Sequence, residues 1–108
     1  MAKTFEKGKI FNLKTMIEYA EGGVISKQIL KNPAGNITLF SFDKEEGLSE
    51  HTTPFDALVE VLDGKVEITI GDEKMIVAEG ESVILPAKIP HALLAIEKFK
   101  MLLTMIKG

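Results

Sequence analysis

The feature that most restricts the fold is a short stretch of strict alternation between two glycine turns. In Lys65–Ile70, apolar residues alternate with polar ones, which is the period of a half-buried β-strand. The pair Asp63-Gly64 precedes this stretch and Gly71-Asp72 follows it, and both pairs are typical of tight hairpin turns. The pattern therefore predicts a strand that turns back on itself and buries one face.

Similar turn signals recur from Gly23 to the end of the sequence, about every eight to twelve residues. The stretches between them are rich in β-branched and aromatic residues and predict about eight or nine short strands. The predicted strands cover residues 24–30, 36–42, 55–62, 65–70, 74–78, 82–85, 92–96 and 99–106, with a short stretch around His51. This pattern is typical of an antiparallel sandwich or barrel. A length of 108 residues without a linker predicts one domain, 1–108.

A helical pattern precedes the strands. Four apolar residues fall on one helical face and predict a short helix over residues 12–20. Asn12 is placed to cap its N-terminus, and Gly22-Gly23 permit a left-handed end. A helix this short is not stable alone, so its apolar face is expected to pack on the sheet.

The last predicted strand is unusually apolar. Residues 101–106 are apolar on both faces apart from Thr104. A strand of this kind is expected to be buried on both sides. It therefore predicts a barrel wall that is covered on the outside by the helix or by a second subunit.

Composition excludes several kinds of site. The chain has no cysteine, so disulfides, thiolate ligands and a cysteine nucleophile are excluded. All 13 basic residues are lysine and the net charge is −3, so a nucleic-acid partner is not expected. No apolar run approaches the roughly 20 residues of a membrane helix, and the expected location is cytoplasmic with no membrane partner. Chemistry at neutral pH is expected to use His51, His91 or a bound metal.

The sequence around His91 resembles the second motif of the cupin superfamily. The stretch from Gly80 to His91, GESVILPAKIPH, carries the glycine, proline and histidine of that motif at the same spacing. Pro86 is the matching proline. The stretch departs from the motif at Lys88, where the family has glycine, and the following residues depart at Ala95, where it has asparagine.

The first cupin motif fits only in its spacing. His51 takes the position of its first histidine and Gly64 that of its closing glycine. Three other positions differ: Glu45 replaces the opening glycine, Thr53 the second histidine and Ala57 the glutamate.

The resemblance spans about residues 37–106 and identifies the chain as a small single-domain cupin, similar to RmlC-like proteins. It implies an all-β fold, a small cupin (jelly-roll) β-barrel of antiparallel strands with one short N-terminal helix. It also implies a homodimer, because small cupins usually pair their barrel sheets.

The family's metal-binding members hold Fe, Mn, Ni, Cu or Zn with three histidines and one glutamate. Carried over position by position, this set leaves His51 and His91 as the ligands of a divalent transition metal. A threonine hydroxyl is a poor ligand and alanine is none, so a metal would be held weakly. The lost ligands leave volume that is filled either by a small-molecule ligand or substrate or by neighbouring side chains. The side chains expected to line that pocket, on one face if the strand is continuous, are Thr53, Phe55, Ala57 and Leu93.

Several functions are open at this stage, because cupins include enzymes, storage proteins and sensors. The first hypothesis is a metal-dependent small-molecule enzyme with a reduced two-histidine site in the barrel. The alternative is a non-enzymatic small-ligand-binding or sensing cupin without metal, with relic histidines bonded to each other or to water. A third hypothesis uses one histidine as a general base without metal. Phosphate-rich substrates are disfavoured because arginine is absent.

Overall fold

Within residues 5–107, which the computed structural model describes, nine strands form two antiparallel sheets. The strands are β1 (Val24–Asn32), β2 (Gly35–Phe42), β3 (Gly47–His51), β4 (Asp56–Asp63), β5 (Lys65–Ile70), β6 (Glu73–Ala78), β7 (Ser82–Leu85), β8 (His91–Ala95) and β9 (Phe99–Ile106). One sheet has the order β1-β2-β9-β4-β7 and the other has the order β3-β8-β5-β6. The predicted all-β jelly-roll architecture is confirmed.

The alternating stretch forms β5, and its predicted hairpin with β6 is present. Ile70 pairs with Glu73 across a two-residue turn. Val66 and Ile68 are completely buried, whereas the polar residues between them face outwards. The period of two therefore determines which face of this sheet meets the core.

The interior is built from cross-strand rows of inward-pointing side chains. One row of the four-stranded sheet consists of Leu48, Leu93, Ile68 and Met75. One row of the five-stranded sheet consists of Thr38, Leu103, Val59 and Val83. At the end of the sandwich away from His91, the rings of Phe42 and Phe99 stack with centroids 4.6 Å apart. Buried residues of both sheets form one cluster, so the two sheets share a packed core.

The predicted helix over residues 12–20 is wrong in length and in type. The structure has one turn of 3-10 helix, Leu13–Thr15, and no further helix in this segment. The capping prediction is confirmed, because the Asn12 side chain accepts a hydrogen bond from the Lys14 N–H at 3.0 Å.

Tertiary contacts explain why the turn does not extend. Lys27 Nζ donates to the Met16 carbonyl at 2.9 Å, and Ser41 Oγ donates to the Glu18 carbonyl at 2.7 Å. Both donors come from strands, so these carbonyls are satisfied without a helix. Ile17 is 1% exposed in the same segment. A nine-residue helix gains little from its own hydrogen bonds, so contacts with the sheet decide the conformation.

Strand β9 lies in the middle of the five-stranded sheet, as its apolar sequence predicts. Met101 faces the shared core, and Leu102 on the opposite face packs with Met16 and Ile17. The N-terminal segment therefore supplies the outer cover at this level of the sheet. Further along the strand Ile106 is 63% exposed, so the cover is incomplete.

Two glycines with left-handed backbone provide a test of how closely the turns are packed. Gly64 has φ +77° and Gly80 has φ +86°. A Cβ at Gly64 would contact the Lys98 carbonyl and lie 2.9 Å from Phe99 Cα, whereas a Cβ at Gly80 has no heavy atom within 4 Å.

We expect Gly80→Ala to lower the free energy of unfolding by about 1–2 kcal/mol, which is the backbone term alone. Gly64→Ala should lower it by a further 1–3 kcal/mol or so, because the new methyl group overpacks the turn. Urea unfolding followed by circular dichroism measures both values. Equal losses for the two variants would contradict the packing derived for Gly64.

Candidate functional site

The two histidines meet at one end of the sandwich, which we call the mouth. His51 is the last residue of β3, His91 is the first residue of β8, and the two are cross-strand partners. Their Nε2 atoms are 3.1 Å apart, and their rings meet edge to face with centroids 4.3 Å apart. His91 is 5% exposed, whereas His51 is exposed. The pair thus joins a buried imidazole to one that faces solvent.

Each imidazole is oriented by the carbonyl two residues before it. His51 Nδ1 lies 2.8 Å from the Ser49 carbonyl oxygen, and His91 Nδ1 lies 3.4 Å from that of Ile89. A carbonyl oxygen only accepts, so both contacts favour the tautomer with the hydrogen on Nδ1, more strongly for His51 at 2.8 Å than for His91 at 3.4 Å. In that tautomer a neutral ring presents a bare Nε2. When both rings are in this tautomer, the two Nε2 lone pairs face each other at 3.1 Å and a shared proton or metal cation would stabilise them. When His91 carries its hydrogen on Nε2, the same distance is that of an ordinary hydrogen bond to His51 Nε2.

The environment of His91 disfavours the proton. Burial lowers the pKa of His91 below its ordinary value of 6.5, and the positive charge of His51 lowers it further, against a smaller opposing effect of the Ile89 carbonyl. His91 is therefore neutral at pH 7. A metal ion binds neutral imidazole, so this environment is suited to a metal ligand.

The spacing of the two Nε2 atoms fits two ligands of one transition-metal ion. Metal–nitrogen bonds of about 2.0–2.1 Å, at angles between octahedral and tetrahedral, separate neighbouring ligand nitrogens by roughly 2.8–3.4 Å. The observed 3.1 Å lies in this range. Two further motif positions supply neither imidazole nor carboxylate: Thr53 has a neutral hydroxyl, a poor ligand, which donates to the Phe55 carbonyl at 2.9 Å, and Ala57 has no polar side-chain atom. No group of three or more potential metal ligands occurs among residues 5–107, so the fit is to a two-ligand site.

The strand that carries His51 ends at that residue, so the condition of a continuous strand, on which the shared face of the pocket residues depended, is not met. Strand β3 ends at His51 and β4 begins at Asp56. Two contacts tie the intervening linker to the loop before β8: Lys88 N–H donates to the Thr53 carbonyl, and Ala87 N–H donates to Asp56 Oδ1, both at 2.7 Å. The sequence analysis missed this role of Asp56, because nothing in the local sequence marks a contact between these two segments.

The four predicted pocket residues lie at two depths. Ala57 and Leu93 are 5% and 4% exposed and belong to the packed core. Thr53 and Phe55 are half-buried, and Lys107 Nζ lies 5.7 Å from the centre of the Phe55 ring. Because the deeper pair is enclosed by other core side chains, a ligand beside the histidines would contact the half-buried pair at the mouth.

Two positions where the cupin motifs carry glycine keep a glycine-like backbone in this chain. Glu45 has φ +73° and Lys88 has φ +67°. This left-handed region costs an L-residue about 1–2 kcal/mol. The turns of both motifs are therefore present although these two glycines are not.

A second concave region, which the sequence analysis did not predict, lies at the end of the sandwich away from the mouth. It has a volume of about 520 Å³ and is lined in part by Asp63, Lys65 and Glu97. The adjacent Tyr19 hydroxyl donates to Asp63 Oδ2 at 2.5 Å, and burial together with that carboxylate raises the tyrosine pKa. Lys65 pairs with Glu97 at 4.0 Å, so opposite charges compensate each other across this region.

Two antiparallel sheets with a histidine pair at one end define a jelly-roll protein of the cupin type. The cupin-domain family model matches residues 38–107, and the chain therefore belongs to the cupin family. No match was found among curated proteins.

Many solved structures are similar to this chain, including the following three. A conserved protein of unknown function from Streptococcus pyogenes has 37% identity and a TM-score of 0.92, over 99% of this chain and 94% of that one. A cupin superfamily protein from Desulfitobacterium hafniense has 29% identity and a TM-score of 0.91, over 100% and 99% of the two chains. A cupin 2 conserved barrel domain protein from Leptotrichia buccalis has 45% identity and a TM-score of 0.85, over 90% of this chain and 47% of that one. Within residues 5–107, no helix has the length and apolar character needed to cross a membrane.

The lowered pKa of His91 predicts a pH dependence of stability for the metal-free protein. Between its folded pKa and the ordinary value of 6.5, the unfolded chain binds more protons than the folded chain. The contribution of His91 to stability is therefore complete above pH 6.5 and is lost as the pH falls towards the folded pKa. Urea unfolding in the presence of a chelator, at several values between about pH 5 and 8, measures this loss.

Two variants isolate the contribution of His91. His91→Gln should remove this part of the pH profile. His51→Gln should keep the larger part of it, because burial is the larger cause of the shift. Identical profiles for the wild type and His91→Gln would contradict the assignment.

Proposed function

We propose that the protein is a metal-dependent small-molecule enzyme of the cupin family, with an exchangeable divalent transition metal at the reduced His51–His91 site. The observation that carries this proposal is the pair of Nε2 atoms 3.1 Å apart, with each Nδ1 beside a main-chain carbonyl that favours the hydrogen on Nδ1. A bound cation of this kind supplies Lewis-acid activation of a substrate oxygen. The candidate ions are Fe, Mn, Ni, Cu and Zn.

The residues at and below the mouth would have different roles in binding the metal and the substrate. His91 is buried and neutral, so its Nε2 provides a rigidly held metal ligand from the wall of the sandwich. His51 is exposed and faces the solution from which a substrate would come. Ala57 and Leu93 close the interior below, which restricts a substrate to a small molecule or to one end of a larger one.

A second function is favoured by the residues that replace the other metal ligands. The Thr53 hydroxyl donates a hydrogen bond to a main-chain carbonyl, and the side chain of Ala57 is only a methyl group. A cupin with these residues could bind a small ligand at the mouth without metal and act as a sensor. A third function is metal-free general-base catalysis by one histidine, for which neutral His91 is the candidate.

Zn²⁺ titration of chelator-treated protein by calorimetry distinguishes the first function from the others. We expect about one ion per chain, because the two Nε2 atoms form one site. His51→Gln and His91→Gln should each weaken binding by more than about tenfold, since each removes a direct ligand.

Thr53→Ala is the matched control for this titration. It alters the neighbouring motif position, but its hydroxyl is already bonded to Phe55, so Zn²⁺ affinity should be unchanged. Failure of the wild type to bind Zn²⁺, Ni²⁺, Mn²⁺, Fe²⁺ or Cu²⁺ would exclude the metal-dependent function and leave the metal-free functions.

We also propose that the protein forms a homodimer through the outer face of the five-stranded sheet. Cross-strand pairing places one outward row of mainly apolar side chains across all five strands. This row consists of Leu30, Ile37, Thr104, Leu58 and Ile84. Leu30 is 50% exposed and Ile84 is 62% exposed, so the row extends beyond the cover of the N-terminal segment. A second copy would bury this row against its own equivalent.

Ile84→Lys should shift the protein towards monomers in light scattering coupled to size exclusion, because it places a charge in the apolar row. Ile76→Lys is the control, since Ile76 is 56% exposed but lies on the other sheet. A wild type that is monomeric at high micromolar concentration would refute the dimer. Equal effects of both substitutions would place the contact elsewhere.

A further inference from the structure

The loop between β7 and β8 holds His91 in place through main-chain contacts. The Ile89 carbonyl accepts from His91 Nδ1, and the Pro90 carbonyl accepts from Gly71 N–H at 2.8 Å. One side of the loop is thereby attached to the turn after β5. The orientation of the His91 ring depends on where Ile89 lies, because that carbonyl selects the hydrogen-bearing nitrogen.

The other side of the loop is attached to the linker that follows His51. Lys88 N–H donates to the Thr53 carbonyl, and Ala87 N–H donates to Asp56 Oδ1, both at 2.7 Å. These contacts connect the segment that carries one histidine to the segment that carries the other. The contact of Asp56 is made by a side chain, so a substitution can remove it without altering the main chain.

The loop contains a residue with a left-handed backbone conformation, which the contacts to the neighbouring segment help to hold. Lys88 has φ +67°, a conformation that a lysine adopts only where its surroundings impose it. Its own N–H and that of the preceding Ala87 make the two contacts to the linker. Loss of the Asp56 contact would let Lys88 return to an ordinary conformation, and Ile89 would then move relative to His91.

We propose that Asp56 is a positioning residue for the histidine pair. Its carboxylate fastens the loop onto the linker, keeps the Ile89 carbonyl against His91 Nδ1, and so keeps the bare Nε2 of His91 directed at His51. The effect of this role on metal binding rests on the proposed function. The orientation of the ring is a property of the metal-free protein as well.

The test compares Asp56→Ala with Asp56→Asn, which retains a side-chain oxygen able to accept from Ala87 N–H. Zn²⁺ affinity should fall by about 10–100-fold in the alanine variant, as is usual for residues that orient a ligand. The asparagine variant should recover most of that affinity. Glu60→Ala is the matched control, because Glu60 lies on the same face of the same strand. Gly80→Ala controls for lost stability, since it alters a turn away from the mouth.

Nitrogen-15 NMR of the imidazole rings in chelated protein near pH 8 decides the proposal without metal. The wild type and Asp56→Asn should show His91 with its hydrogen on Nδ1, and Asp56→Ala should show loss of that preference. An unchanged His91 tautomer in Asp56→Ala would overturn the positioning role, whatever the Zn²⁺ result. A wild type that binds no metal would overturn the proposed function, and the tautomer would still decide the role of Asp56.

Discussion

Strand β8 pairs with β3 on one side and β5 on the other, and the position of the candidate site depends on this double pairing. The register aligns His51, His91 and Ile70 in one cross-strand row. His91 is the first member of the inward set of β8, which continues with Leu93 and Ala95. A slip of one residue would turn all three outwards. Burial of the core and the meeting of the two histidines are therefore consequences of the same register.

The parts of the fold that sequence patterns predicted are those governed by local chemistry. The β5–β6 hairpin has strict alternation and a glycine turn, and its strand bounds follow from these two signals. The N-terminal helix had an apolar face and a cap, and the cap at Asn12 is present. Its later residues depart from a helix because Lys27 and Ser41 satisfy their carbonyls from the sheet. Such long-range donors leave no periodic signal in the sequence.

The candidate site also has features that the sequence predicted and features that it could not predict. The resemblance to cupin motifs singled out His51 and His91, and the structure brings them together. What the sequence could not show is the tautomer of each ring, because it depends on main-chain carbonyls that any residue can supply. The contact from Asp56 to the main chain of Ala87 is hidden for the same reason. Asp56 is exposed at the start of β4, and the N–H that it accepts from belongs to the loop before β8.

The loss of motif glycines shows which part of a cupin motif is structural. Glu45 and Lys88 adopt the left-handed backbone that glycine would adopt more easily, so the turns withstand the substitution. Ala57 differs in kind, because across residues 5–107 no carboxylate joins the two histidines in a group of potential metal ligands. A cation held by two imidazoles alone leaves most of its coordination positions to water or to a small molecule. Under the proposed function, a chelating substrate would therefore strengthen metal binding, and the metal would strengthen substrate binding by the same factor.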